Sequence, residues 1–392
     1  KFFGFVGDHG WTNPHLHLVE YDVDTRTISC LPEINRELGR KPNQFGDGKV
    51  HGFPGMYQPV YADNPHLWFA TYWCRYPEPL DEDFDTGYDG GHIMSYDPVN
   101  RHFVDYGVPV ERAAWPLHRV DKQRGLFYGL GMFSEFLCWD INKQEIRWAG
   151  YLPPIGREKD AFAVSPGMKW YNRCLLIDEE TGMVYSNNLI NENLNVIKYD
   201  PHRNRFYELD LPMPGGSPIR NHTPRRDNDG LFWGLTLAGD LYSFDPDREK
   251  LELHGRPWPL NDAFSTTIDM SPGGRYLYFG VACHGRGYPY GSPVLQYDKQ
   301  TGVTKILAFL FPHFYEKYGY VAGGTYSYTL NNTGDKLFAI WNGSFTDFDL
   351  LNEKFQAYEA DDPVNWSIPQ PHDAFGHCGV FEVNIPPEER PE

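Results

Sequence analysis

Short apolar runs broken by Gly-, Pro-, Asn- and Asp-rich turns fill this chain. No long window repeats with the 3.6-residue period of an amphipathic helix. The pattern predicts many short strands. One phrase recurs: an apolar strand ends in an aromatic, then come an acid, a turn and a further strand. Tyr21-Asp22, Tyr96-Asp97, Trp139-Asp140, Tyr199-Asp200, Phe244-Asp245 and Tyr297-Asp298 carry it, with Phe381-Glu382 as a degenerate seventh copy. From Tyr96 to Tyr297 the spacing runs from 43 to 60 residues. A second phrase, a buried-strand run such as GLFYGLGM, GLFWGLTL, RYLYFGVA or KLFAIWNG, precedes several copies.

Repeats of roughly 40–50 residues with about four strands each are propeller blades. The expected fold is therefore all-β: a seven-bladed β-propeller forming a single domain over 1–392. The terminal strands in KFFGFVGD and CGVFEVNI are expected to share one blade and close the ring. The repeated Asp is expected to cap its turn through its side chain rather than to act in chemistry. A pair of β-sandwiches or a β-helix would fit the regular spacing and varied loops less well.

Composition agrees, with 16% aromatic residues, 39 Gly and 32 Pro. The net charge of −18 argues against nucleic acid, whose phosphates need a basic footprint. It leaves room for an acidic glycan held by a local Arg, Lys and His cluster. The six cysteines are scattered without a CxxC, so neither a zinc ribbon nor a dense disulfide framework is expected. No apolar run approaches the ~20 residues of a membrane helix. The chain starts at Lys1 rather than Met, which suggests a processed start and leaves a secreted, periplasmic or cell-surface location open. Four glycosylation acceptors occur, at Asn221, Asn331, Asn342 and Asn365, and motifs this short arise often by chance.

No GxSxG, HExxH, Walker or EF-hand motif occurs. The chemistry-bearing residues are His, Arg and Tyr. GDGKVHGFPG (46–55) reads as a tight loop that presents Lys49 and His51, and His51 is either a proton-transfer group or an ordinary turn histidine. DFDTGYDGGHIMSYD contains His92, and AAWPLHRVD contains Trp115, His118 and Arg119. His92 and His118 are expected near the starts of inner strands, facing each other across neighbouring blades. SPIRNHTPRRDNDG offers Arg220 and His222, with Arg225 and Arg226 beside Asp227 and Asp229 reading as a solvated face. An Arg/His cluster suits a carboxylate-bearing sugar. The acidic stretch 77–91 could ligate a structural calcium, although it lacks EF-hand spacing, and the identity of any metal stays open. Trp11, Trp73, Trp115, Trp170 and Trp233 are candidate sugar platforms, with core burial as the default.

The succession GDGKVHGFPGMYQP, GYDGGHIMSYDP, AWPLHRVD and MVYSNN resembles the seven-bladed propeller α-L-rhamnosidases, over nearly the whole chain. These act on rhamnose caps α-1,4-linked to glucuronic acid in arabinogalactan proteins and gum arabic. The scaffold also resembles the rhamnose–glucuronate lyases and, more remotely, the ulvan lyases. The resemblance implies that His51 carries hydrolysis, on the face opposite the usual propeller pocket, with Lys49 holding the uronate charge. It implies for a lyase that His92, His118, a tyrosine (Tyr171 or Tyr185) and Arg220 line the ordinary pocket. Trp115, Arg119 and His222 would complete substrate binding. No cofactor is implied. The expected partner is an acidic plant-type glycan, met by a monomer, and a non-catalytic glycan-binding propeller is the remaining alternative.

Overall fold

The computed structural model describes residues 1–392 apart from 8–14, 42–43, 74–83, 132–134, 153–172, 188–193, 261–262, 346–375 and 391–392. The chain forms two compact units, Lys1–Asp210 and Leu211–Glu392. Four antiparallel blades follow one another in the first. Phe2–Gly7, Leu16–Asp22 and Thr27–Glu33 form blade one. Gly55–Tyr57, His66–Ala70, Ile93–Asp97 and His102–Asp105 form blade two. Blades three and four begin at Leu117–Asp121 and Leu176–Ile177 and are four-stranded meanders. In the second unit, blade five is Phe232–Leu235, Leu241–Asp245 and Lys250–Gly255, with 219–223 bonded along its first strand. Blade six begins at Ile268–Met270, and blade seven is built on Lys336–Ser344. These seven sheets are the blades of an all-β propeller.

The repeat marks the third strand position of blades two to seven and the middle of the three strands of blade one, and the turn chemistry explains why. Asp97 accepts the backbone N–H of Val99 at 2.8 Å and of Asn100 at 3.1 Å. Asp22, Asp140, Asp200 and Asp245 accept the N–H groups two and three residues on in the same way. The residue four places after each Asp, namely Arg26, Arg101, Gln144, Asn204 and Glu249, takes a positive φ of 49–56°, and Gly302 fills that place after Asp298. A left-handed residue turns the third strand back into the fourth, and the Asp holds the turn where the chain has not used Gly. The aromatic before the Asp packs between blades. Trp139 meets Trp68 of blade two, and Tyr199 joins Tyr128 and Phe136 of blade three. In the second unit, Tyr297 packs with Trp233, Leu235 and Ile268.

The terminal strands depart from expectation. Phe2–Gly7 pairs along its length with Leu16–Asp22, and His377–Asn384 pairs residue for residue with Lys336–Ser344. They therefore belong to blades one and seven respectively and do not share a sheet. Pairing Phe2–Gly7 with a strand nearby in sequence closes a far shorter loop than pairing it with the other end of the chain. Phe381-Glu382 nevertheless sits on the third strand of blade seven, where the degenerate repeat predicts it.

Burial opposes the charge on Asp97, but the donors from Asn100, Val99 and Asn64 outweigh it and hold its pKa down to about 2. A depressed folded-state value means that the charged group stabilises the fold above the usual carboxylate range. That contribution is lost as pH falls toward about 2. Asp97→Asn keeps an acceptor oxygen and removes the titration. We expect its unfolding temperature near neutrality to stay close to wild type, and its drop on acidification to be smaller, as read by circular dichroism melts across pH.

Candidate functional site

The loop 46–55 is anchored before it reaches its histidine. Asp47–Lys49 forms a short strand that pairs with Tyr72–Trp73. Asp47 is fully buried. Its carboxylate lies 3.0 Å from the Arg40 guanidinium and accepts the Tyr88 hydroxyl at 2.9 Å. Asn35 brackets its backbone, accepting from its N–H at 2.9 Å and donating to its carbonyl at 2.7 Å. Arg40 also lies over the Tyr88 ring, 4.7 Å from its centroid. Burial alone would lower the Arg40 pKa, but the Asp47 carboxylate reverses this and raises it.

From this anchor the chain delivers Lys49 and His51 to one ring. The Lys49 ammonium sits 4.7 Å from the centre of Tyr72, and the His51 ring centre 5.4 Å from it. Gly52 then passes so close to His118 that a Cβ there would stand 2.2 Å from its Nδ1. Phe53 donates its N–H to the His118 carbonyl at 2.9 Å, and the Arg119 guanidinium covers the Phe53 ring at 4.0 Å. Glycine at 52 is therefore needed for close approach, not for turn geometry.

His92 and His118 have opposite environments. The Nδ1 of His92 lies 2.9 Å from Asp105, its Nε2 lies 3.7 Å from Asp89, and its backbone N–H donates to the Thr71 hydroxyl. Burial disfavours the His92 cation, but the bond to Asp105 and the field of Asp47 outweigh it and raise the pKa. His118 is fully buried, stacks on Phe127 at 5.6 Å, and has its pKa pushed down to about 3 by burial. It is neutral wherever His92 titrates, so the expected histidine pair does not form as two equivalent proton carriers. Both flank one segment, His118 at the Ala70 N–H and His92 at Thr71. Tyr72, the next residue, carries His51 and Lys49. The His51 group and the His92 group thus contact successive residues of one segment, 70–72.

The other predicted residues are placed as follows. Trp115 is fully buried, donates to the Gly91 carbonyl at 3.2 Å and packs against Gly129, so it supports the wall and offers no face to a sugar. Trp73 and Trp233 are buried as well. Tyr185 is buried in the strand Val184–Asn187. Tyr171, Trp11 and Trp170 lie outside the described residues, as do residues 77–83 of the acidic stretch 77–91. Among the described residues no group of three or more potential ligand side chains gathers for a metal, and no helix is long and apolar enough to cross a membrane. Among the described residues Cys30, Cys138, Cys174, Cys283 and Cys378 form no disulfide with one another. Asn221 is buried, binding Leu235 and Ser265, which leaves no room for a glycan on its amide.

In the second unit, Arg220 and His222 stand on the first strand position of blade five. His222 is buried, with Nδ1 2.8 Å from the Thr223 carbonyl. Arg220 is buried with its guanidinium 5.0 Å from the centre of Phe264, and burial pushes its pKa down to about 10. Sequence reasoning missed Arg40, Asp47, Tyr72, Tyr88 and Asp105 in the first unit, and Phe264, His284 and Tyr326 in the second. Tyr72 lies in an apolar run that reads as plain core. Its pairing with the strand Asp47–Lys49 shows that it underlies the Lys49–His51 loop.

No family model matches the chain, and neither does any curated protein. Solved structures do match. A protein of Bacteroides uniformis ATCC 8492, provisionally named a 6-phosphogluconolactonase, superposes with a TM-score of 0.53 at 11% identity, over 87% of this chain and 90% of that one. A protein of Bacteroides fragilis NCTC 9343 with the same provisional name gives 0.51 at 10% identity, over 86% of each chain. At such identities the likeness shows the fold alone: the chain has the fold of these β-propellers.

Proposed function

We propose that the chain is an exo-acting α-L-rhamnosidase that removes terminal L-rhamnose α-1,4-linked to D-glucuronic acid in arabinogalactan-type glycans. The observation that carries this reading is the convergence of Lys49 and His51 on Tyr72, beside a carboxylate that is already occupied. Glycoside hydrolysis usually needs two carboxylates. Asp47, the acid of this loop, is fully buried and held by Arg40 and Tyr88. Proton transfer at this loop therefore falls to the imidazole. His51, as imidazolium, gives its proton to the glycosidic oxygen while the bond from that oxygen to rhamnose C1 breaks. Water adds to C1, and its proton returns to His51. Lys49 holds the uronate carboxylate next to the scissile bond. The step needs no cofactor, and a secreted or surface-exposed enzyme would meet such a substrate.

A second reading is favoured by His92. A histidine whose pKa is raised by its bond to Asp105, close to a Tyr–His pair, suits β-elimination. A base takes the C5 proton of the uronate, the C4–O4 bond breaks, a C4=C5 double bond forms, and rhamnose leaves with a proton from an acid. Digestion of gum arabic separates the two readings. Free rhamnose without new ultraviolet absorbance is the expected result. Rhamnose with the absorbance of a conjugated unsaturated uronate replaces hydrolysis by elimination, and no product overturns both.

A further inference from the structure

His118 is a buried histidine to which neither proposed reaction assigns a step, and it touches both pieces of chain that meet at His51. It stands on Leu117–Asp121, the first strand of blade three. The loop that follows His51 is the first of its neighbours. Gly52 passes so close that a Cβ there would stand 2.2–2.5 Å from Nδ1, Cε1 and Cγ of the imidazole, and Phe53 donates its N–H to the His118 carbonyl at 2.9 Å. The segment that leads into Tyr72 is the second. Its Ala70 N–H points to Nε2 at 3.5 Å, and Trp115, three residues before His118, donates its N–H to the Thr71 carbonyl at 3.2 Å. Phe127 stacks on the imidazole, with ring centres 5.6 Å apart and planes 17° from parallel.

These contacts fix the state of the ring. Nδ1 faces the Trp115 carbonyl at 3.4 Å and Nε2 faces an N–H, so the proton sits on Nδ1 and the lone pair on Nε2. A second proton, on Nε2, would oppose the Ala70 N–H in a fully buried place. Burial pushes the His118 pKa down to about 3, in agreement with that geometry. Such a group gives up no proton near neutrality, and its lone pair already faces the backbone. What it can do is hold a distance. The His51 ring is centred 5.4 Å from that of Tyr72. His51 lies one residue before Gly52, and Tyr72 lies two residues after Ala70. A shift of about 1 Å at a reacting group costs roughly 10²-fold in rate. We infer that His118 is a positioning residue for His51: a neutral imidazole against which the His51 loop and the segment entering Tyr72 are both set, with no proton transfer of its own. The consequence for rate rests on the rhamnosidase reading; the consequence for the placement of His51 does not.

Three variants of the full chain test this. Gly52→Ala drives a methyl into the imidazole. His118→Phe keeps a ring and removes both nitrogens. His118→Gln offers an amide oxygen to the Ala70 N–H and has no group that titrates. Nuclear magnetic resonance of histidine-labelled protein reads the rings directly, with the His51 signal identified by its loss in His51→Ala and the His118 signal by its loss in His118→Gln. In the wild type His118 is expected to show the Nδ1–H tautomer and no titration between about pH 5 and 8. The His51 signal, set by the Tyr72 ring current, is expected to move in Gly52→Ala and His118→Phe. In both, kcat for rhamnose release should fall by about tenfold to 10²-fold with KM little changed. His118→Gln should keep about tenfold more of kcat than His118→Phe, on the wild-type pH profile. A His118 that titrates in that range overturns the inference. So does a His51 signal, or a kcat, that stays at its wild-type value in both Gly52→Ala and His118→Phe. A folded His118→Gln as inactive as His51→Ala overturns the absence of a proton role. If His118→Phe fails to fold, Gly52→Ala and the wild-type tautomer decide. A wild type that releases no rhamnose counts against the rhamnosidase reading alone, because the tautomer and the His51 signal are read without substrate.

Discussion

His51→Ala is expected to lower rhamnose release from gum arabic by about 10²- to 10⁴-fold, the usual contribution of a positioned acid–base group. The measurement is free rhamnose per enzyme per unit time at saturating substrate. His51 is partly exposed, and the loop that carries it is anchored through Asp47 and Phe53. The unfolding temperature is measured alongside. A variant that melts normally and releases rhamnose at the wild-type rate would make His51 a turn residue and move the chemistry to His92. His92→Ala gives the complementary reading. It should alter the pH profile, because Asp105 raises the His92 pKa, and leave the bond-breaking step in place.

Asp47→Ala is expected to destabilise the protein by about 3–5 kcal/mol, the cost of removing one member of a buried ion pair, because the exposed Asp89, 4.0 Å from Arg40, is a weak substitute. Arg40 keeps its charge in a side-chain environment only 9% exposed, and the Tyr88 hydroxyl loses its acceptor. A melt by circular dichroism should show a drop of roughly 6–20 °C. Replacing both partners, as in Asp47→Leu with Arg40→Met, should recover much of that loss, because an apolar pair carries no stranded charge. A single variant as stable as wild type would mean that the pair is solvated in solution. The same substitution should also reduce turnover, since Asp47–Lys49 is the strand that carries the chain to His51. Stability recovered by the double variant without recovered turnover would show that the ion pair also positions the loop.

The architecture was legible in the chain because its signals are local. An aromatic followed by Asp at blade-length spacing reports a strand packed between blades and a turn capped by its own side chain. Both depend on residues close in sequence. Tyr96-Asp97, Tyr199-Asp200 and Tyr297-Asp298 all behave as that reading requires. Even the weak copy at Phe381-Glu382 takes its place on a third strand. The terminal strands were misread because two apolar runs at the ends of a chain look equally suited to each other and to nearer partners. The choice between them is a matter of loop closure and register, which no single segment reports.

The site divides along the same line. The sequence by itself marked GDGKVHGFPG as a Gly-rich stretch carrying a histidine, and named His, Arg and Tyr as the candidate groups. Which histidine can carry a proton was decided by the tertiary structure. His92 and His118 look alike in sequence, yet Asp105 raises the pKa of one and burial depresses that of the other to about 3. The same holds for Tyr72, drawn beneath Lys49 and His51 by strand pairing, and for Arg220, left beside Phe264 without an acidic partner among the described residues. Strand patterning is written in neighbours along the chain, whereas charge state depends on which groups and how much water surround a side chain, and that is settled only when distant segments pack.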